Sequence, residues 1–331
     1  MGEWLIITHP IKQMNNTFKL LFSLSLFIGS NSYACKEEKS RCLKPPVKLV
    51  VLGIAQDAGY PQLNCYKPHC MPAWNNLELQ KSATSLALID VMDNKKYLFE
   101  ATPDIKKQLF SLQNKFPDER FPLAGIFLTH AHMGHYTGLM HLGREAAGTS
   151  NINVFAMPKM KKFLSTNGPW SQLVDLKNIV LNDLHNNIDV RLSKNITITP
   201  ILVPHRDEYS ETVGYKISGP KKKVLFIPDI NKWNKWELDI REQIKIVDYA
   251  LLDATFYANG EIPNRDMSEI PHPFVTETMQ LLSKLPYKER QKVIFIHFNH
   301  SNPLLQIDSD AQKQVLRSGF RIANEGLELN L

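Results

Sequence analysis

Ile126-Phe127-Leu128, an apolar run, passes through Thr129 into His130-Ala131-His132-Met133-Gly134-His135. Three histidines stand at i, i+2 and i+5 in a chain that has 11 in 331 residues. Imidazole nitrogens bind a zinc-like cation at about 2 Å, so several rings must converge on one point. A rigid strand ending in a tight turn does this. Residues two apart on an extended segment project to the same side, so His130 and His132 aim together. His135, placed at the start of a helix, reaches an adjacent position. The fold must therefore end a buried strand at an edge that other ligands can reach.

Further along, the same arrangement recurs with single residues. Pro200 to Pro204 leads into His205, Val224 to Pro228 into Asp229, and Val293 to Ile296 into His297. Each is a ligand-type residue just past an apolar run. Open α/β sheets place their sites at such strand ends. The six residues His130, His132, His135, His205, Asp229 and His297 form the candidate metal set. Asp229, as the carboxylate among them, and His272, between two prolines, are the candidate catalytic groups.

Hydrophobic residues make up 43% and charged residues 22%, enough apolar material for a sizeable core. Strands are expected at 47–55, 84–89, 97–99, 124–128, 152–156, 178–181, 196–203, 212–218, 223–227, 248–252 and 292–296. The second and third should form a hairpin turned at Met92 to Lys95. Pro103 opens a helix with Ile105, Leu109 and Leu112 on one face. Further helices are expected from His135 to about Ala147, and at 158–166, 232–244, 273–285 and 309–316. Strands that cluster and then alternate with helices imply a layered α/β fold with mixed sheets. One domain, 47–331, holds them all.

The formal charge of +6, from 39 basic and 33 acidic residues, is mild for this length. The tight basic run Lys221 to Lys223 reads as a solvated turn before a strand. Charge therefore gives no reason to expect a nucleic-acid partner, and a small-molecule substrate fits better.

At the N-terminus, Lys19 precedes the short apolar stretch Leu20 to Ile28, and a small-residue segment ends at Ser32-Tyr33-Ala34. This is the pattern of a signal peptide over residues 1–34, too short to span a bilayer as a mature helix. It predicts export to the periplasm or beyond. Cleavage after Ala34 leaves Cys35 first, and a lipidated Cys35 would attach the protein to a membrane, although Ser32 and Tyr33 are poor for the usual lipobox. Residues 35–46, charged and ending in Pro45-Pro46, read as a linker.

The order His-x-His-x-x-His, lone His, Asp, His resembles the metallo-β-lactamase superfamily, over roughly residues 47 to 310. The segments Gly53 to Cys65, Val203 to Gly214, Phe226 to Trp233 and Leu252 to Phe256 are similar to the pyrroloquinoline quinone biosynthesis protein B family. The resemblance implies an αββα sandwich, two mixed sheets flanked by helices with the site at one edge. It implies a first metal on His130, His132 and His205, and a second on His135 and His297, with Asp229 bridging. The superfamily pattern usually has an aspartate just before the third histidine, where this chain has Gly134. One or two ions fit, with Zn²⁺ the default and iron or manganese as alternatives. Such a cation lowers the pKa of its water to roughly 7, which provides hydroxide at neutral pH to attack an ester, lactone or phosphodiester. Two other functions stay open: an iron-dependent oxygenase of a quinone-cofactor pathway, and a non-catalytic metal-binding protein on the same fold.

Around this centre, Arg206, Asp207, Asp253 and His300 are candidates to support the ligands. Cys65, His69 and Cys70 sit together in a loop-like segment. Their spacing fits either a small structural zinc, with one ligand not visible, or a disulfide.

Overall fold

The computed structural model describes residues 46–116 and 121–331. The expected signal peptide, and the expected linker up to Pro45, lie outside the described residues. Fourteen strands are found among those described: β1 (Val47–Gly53), β2 (Ser85–Asp90), β3 (Lys95–Phe99), β4 (Leu123–Phe127), β5 (Ile152–Ala156), β6 (Ile179–Asp183), β7 (Val190–Arg191), β8 (Thr197–Leu202), β9 (Val213–Ser218), β10 (Lys223–Ile227), β11 (Tyr249–Asp253), β12 (Val293–Ile296), β13 (Arg321–Ile322) and β14 (Glu328–Asn330). They form two seven-stranded mixed sheets, ordered β14-β1-β2-β3-β4-β5-β6 and β13-β12-β11-β10-β9-β8-β7. Helices cover the outer faces, which gives the expected αββα sandwich. Among the described residues no helix is long and apolar enough to cross a membrane.

The strands read as continuous apolar runs because the first sheet is covered on both faces. Val47, Leu49 and Val51 of β1 point into the core between the sheets, whereas Val50 and Leu52 face the helical layer. In β2, Leu86 and Leu88 take the inner side and Ala87 and Ile89 the outer. That is the two-residue period of a pleated strand. The Met92–Lys95 turn forms as expected, since Asp90 Oδ1 accepts from both Met92 N and Asp93 N at 3.1 Å.

Two expected helices are shorter than their sequence suggests. The segment from His135 gives one short helix, Met133–Tyr136, then a 3-10 stretch, Thr137–Leu142. The His135 carbonyl accepts from Ala101 N at 2.8 Å, and Gly138 N donates to Ala101 O at 2.9 Å. A Cβ at Gly138 would lie 2.0 Å from Thr102 O. The chain thus gives up helical bonds here to lie against the loop after β3. The 232–244 helix divides into a 3-10 turn, Trp233–Lys235, and a helix, Ile240–Lys245. Asp239 restarts it as N-cap, accepting from Arg241 N at 2.8 Å.

Strand direction gathers the functional residues. β10, β11 and β12 run parallel, and β8 shares their direction because both it and β10 are antiparallel to β9. In the other sheet β3 and β4 are parallel, and β1 runs with them through its antiparallel partner β2. The C-terminal ends of β1, β3, β4, β8, β10, β11 and β12 thus each open onto the edge that their own sheet presents to the site.

Between the sheets Phe127 stacks on Phe155 and Phe99, with ring centroids 4.3 and 5.2 Å away. Phe127→Ala should cost about 3–5 kcal/mol, seen as a lower urea midpoint at unchanged slope. A loss below about 1 kcal/mol would mean that this stack does not anchor the core.

Candidate metal centre

The segment after β4 turns at Thr129 and delivers His130, His132 and His135 to one place. Their rings pack closely, with His130 centroids 4.4 Å from His132 and 4.2 Å from His135. His205, past the end of β8, comes within 5.1 Å of His130 and 5.0 Å of His132. Asp229, past β10, lies at the centre. Its Oδ2 is 3.0 Å from His135 Nε2, 3.3 Å from His297 Nε2 and 3.9 Å from His130 Nε2. Its Oδ1 is 3.9 Å from His205 Nε2. All six residues of the expected metal set are therefore brought together.

Together with Asp57 and His272 they form four groups whose ligand atoms lie within 4.8 Å of one another: His130, His132 and His205; Asp57, His135 and His297; Asp229 with His130 and His135; and Asp229 with His205 and His272. The Nε2 atoms of His130, His135, His205 and His297, and Asp229 Oδ2, are buried without a hydrogen-bond partner. Buried polar atoms are normally paired, so this set of converging lone pairs fits a cation. Burial pushes His130 well down, His205 down to about 4, and His297 down. Burial thus disfavours the charged form of these three rings, whereas Glu100 and Asp229 lift His135 well above the ordinary imidazole value against its own burial. Burial alone would raise the Asp229 carboxyl, but His297 and His135 hold it well below the usual carboxylate range.

The opposite nitrogens of His130 and His297 are held by partners, whereas His205 Nδ1 is buried without one. His130 Nδ1 lies 2.8 Å from Thr129 Oγ1. His297 Nδ1 is 3.0 Å from Thr255 Oγ1, which donates to Asp253 Oδ1 at 2.7 Å. Asp253 Oδ2 lies 2.7 Å from His272 Nδ1 and also accepts from Ile230 N, next to Asp229. Burial opposes the charged form of His272, but Asp253 lifts its pKa above the ordinary value. Such second partners set which nitrogen faces a metal. His297 itself has φ +70, a left-handed backbone conformation that is uncommon for a non-glycine residue and recurs at functional sites.

Not every expected residue joins the centre. Arg206 lines a cleft of about 290 Å³ beside it, together with Arg265, His272 and Asn299. Asp207 points to Thr212, whose hydroxyl donates to it at 2.9 Å. His300 lines the cleft but groups with Cys65, His69 and Cys70, the four offering ligand atoms within 4.8 Å of one another. It supplies the fourth donor that the cysteine loop lacks in sequence. The two cysteines are buried and free, and burial pushes the Cys70 thiol up to about 12.

Two site residues escape sequence reasoning. Glu100, just past β3 and fully buried, accepts from Thr129 N at 3.2 Å and sits 3.3 Å from His135 Nδ1. Its place after a short apolar strand was the one signal. Asp57, in the turn after β1, lies 3.3 Å from His135 Nε2.

With this geometry in view, the relationships of the chain become clear. A profile for the Beta-lactamase superfamily domain matches residues 95–298, and the chain belongs to that superfamily. Coenzyme PQQ synthesis protein B of Methylobacterium sp. (strain 4-46) is 26% identical over 310 residues, covering 86% of this chain and all of the relative. The crystal structure of Zn(2+)-bound PqqB from Methylobacterium extorquens superposes with a TM-score of 0.72 at 22% identity, over 86% of this chain and all of that one. A diphosphatase from the PhnP family gives 0.59 at 19% identity, over 86% and 96%. These likenesses establish the two-sheet fold.

Glu100→Gln keeps the size of the side chain but removes the charge behind His135. Metal affinity, read by chelator competition, should fall about 10- to 100-fold with the far-ultraviolet spectrum unchanged. An affinity equal to that of the parent would show that Glu100 does not position His135.

Proposed function

We propose that the chain is a metal-dependent hydrolase acting on a small ester, lactone or phosphodiester-type substrate. The observation that carries this reading is the set of buried, unpartnered imidazole nitrogens converging on Asp229 at a sheet edge. His130, His132 and His205 would hold one divalent cation, and His135 and His297 a second, with Asp229 between them. Zinc suits this imidazole-rich set, and iron or manganese is compatible with it. Bound there, the cation supplies a Lewis acid and a water acidic enough to attack at neutral pH. Superfamily membership and the likeness to a PhnP-family diphosphatase support hydrolysis.

The chain's own groups do the rest. With Asp253 Oδ2 accepting from His272 Nδ1, the other ring nitrogen, Nε2, is left to carry a proton for the cleft that His272 lines. Its raised pKa suits delivery of that proton to a leaving oxygen. Arg206 and Arg265 line the same cleft and favour an anionic substrate. Cys65, His69, Cys70 and His300 would hold a separate structural zinc. A second reading, an iron-dependent oxygenase of a quinone-cofactor pathway, is favoured by the likeness to coenzyme PQQ synthesis protein B.

Elemental analysis separates these. The parent should carry about two equivalents of divalent metal at this centre besides the cysteine cluster's zinc, and His132→Ala should lose at least one. His272→Asn should keep the metal and lose about 10²- to 10⁴-fold in turnover of an activated phosphodiester or ester. Iron accompanied by O₂ consumption would replace hydrolysis with oxygenation. A metal-free parent would end both readings.

We also propose export, on the strength of the charged start, short apolar core and small-residue end of residues 1–34. Fractionation of cells making the full chain should place it outside the cytoplasm, beginning at Cys35. Retention of an unprocessed chain in the cytoplasm would sink this proposal.

A further inference from the structure

Gly134 stands where the superfamily's sequence pattern has an aspartate, and the structure fills that place from elsewhere. A Cβ built on Gly134 would lie 2.3 Å from the Cα of Asp57 and 2.5 Å from its Oδ1. The volume that a side chain at position 134 would enter is therefore already taken by Asp57. The fit works in both directions. The missing carboxylate is matched by a carboxylate, and the glycine is what lets the Asp57 turn approach this closely.

We infer that Asp57 is a carboxylate ligand of the second metal position, shared with His135 and His297, replacing the acid that residue 134 would otherwise supply. Three observations carry this. Asp57 Oδ1 is 3.3 Å from His135 Nε2. Asp57, His135 and His297 offer ligand atoms within 4.8 Å of one another. The facing Nε2 atoms of His135 and His297 have no hydrogen-bond partner. The turn is also built to hold the residue in place. Ala55 bridges to Phe298, Gln56 N donates to Phe298 O at 2.8 Å, and Gly59 N donates to Gln56 O at 2.9 Å. Phe298 directly follows His297, so the turn bearing Asp57 and one of its two partner ligands are fastened to each other. Asp57 takes a φ of +31, a region that aspartate tolerates better than most residues.

The consequence is a difference between the two positions. The first has three imidazoles and no carboxylate of its own beyond a share in Asp229. The second has two imidazoles, a share in Asp229, and the charge of Asp57. Asp57 is also 31% exposed, where Asp229 is 3%, so it meets the solvent side of the centre. Two divalent cations side by side repel, and a second carboxylate offsets that at the position it joins. Loss of Asp57 should therefore empty the second position and leave the first occupied.

This inference rests on the metal reading above, and the test keeps the two apart. Metal equivalents and affinities would be measured by elemental analysis and chelator competition with Zn²⁺ alone. The proteins are the parent, Asp57→Ala, Asp57→Asn, His297→Ala and His205→Ala, each checked by circular dichroism. Asp57→Ala and His297→Ala should each lose about one equivalent, and Asp57→Asn, which keeps the shape but is a poor donor, should weaken the second ion by about tenfold or more. His205→Ala should lose the other ion. If both Asp57 variants keep the parent's equivalents and affinities while His297→Ala loses one, Asp57 is not a ligand, although the centre stands. If neither His297→Ala nor His205→Ala changes the metal content, the metal centre itself falls and this proposal with it.

Discussion

A carboxylate 3% exposed, with histidines as its only basic neighbours among the described residues, dictates the interior of this protein. Asp229 sits where charge is expensive to bury. Against that cost, His297 at 3.3 Å and His135 at 3.0 Å, with His130 at 3.9 Å, hold its carboxyl well below the usual carboxylate range. Those rings are themselves polar and buried, and they need partners of their own. Glu100 faces His135, Thr129 holds His130, and Thr255, backed by Asp253, holds His297. The polar centre is thus two layers deep, and its innermost nitrogens are left with nothing to bind except a cation.

Such a centre needs its ligands to come from strands of both sheets, held rigid relative to each other. The chain achieves this by joining the sheets at the site edge. Phe298, just past β12 of the second sheet, bridges to Ala55, just past β1 of the first. Val213 N donates to Thr129 O at 3.1 Å, and the Tyr215 hydroxyl donates to Leu128 O, both beside the histidine turn. The stacked aromatics Phe99, Phe127 and Tyr215 fill the space behind. Packing density in such a core leaves little room for ligands to drift, and ligand geometry is what separates a working metal site from a loose one.

How much of this could be read in the sequence follows from chain distance. The triad His130, His132 and His135 lies within six residues, so local geometry alone announces it. His205, Asp229 and His297 were legible because each caps a long apolar run. Both sheets were legible for the same reason, apart from the short strands: β7 and β13 have two residues each, and β14 pairs with β1 from the far end of the chain. Glu100 and Asp57 carried no such mark. Each is a lone acid after a strand, and only the fold brings it to an imidazole. The helix expected from His135 was cut short by a hydrogen bond from Ala101, a partner that periodicity cannot reveal. His300 looked like support for the centre because it is three residues from His297, yet its ring lies 5.6 Å from that of His69.

That last misplacement points to how the two clusters depend on each other. His297 and His300 leave the same strand, one toward Asp229 and the other toward the cysteine loop. The loop is in turn tied to the Asp57 turn: Tyr60 N and Lys81 N pair backbone to backbone with each other's carbonyls at 2.8 Å, and the Tyr60 hydroxyl donates to His69 O. Asp57 therefore lies between two fixed points, Phe298 on one side and Tyr60 on the other. A cation drawing Cys65, His69, Cys70 and His300 together would fix both at once. Bound there, beside the cleft that His300 lines, such a cation would hold steady the segment that carries Asp57 to its place beside His135.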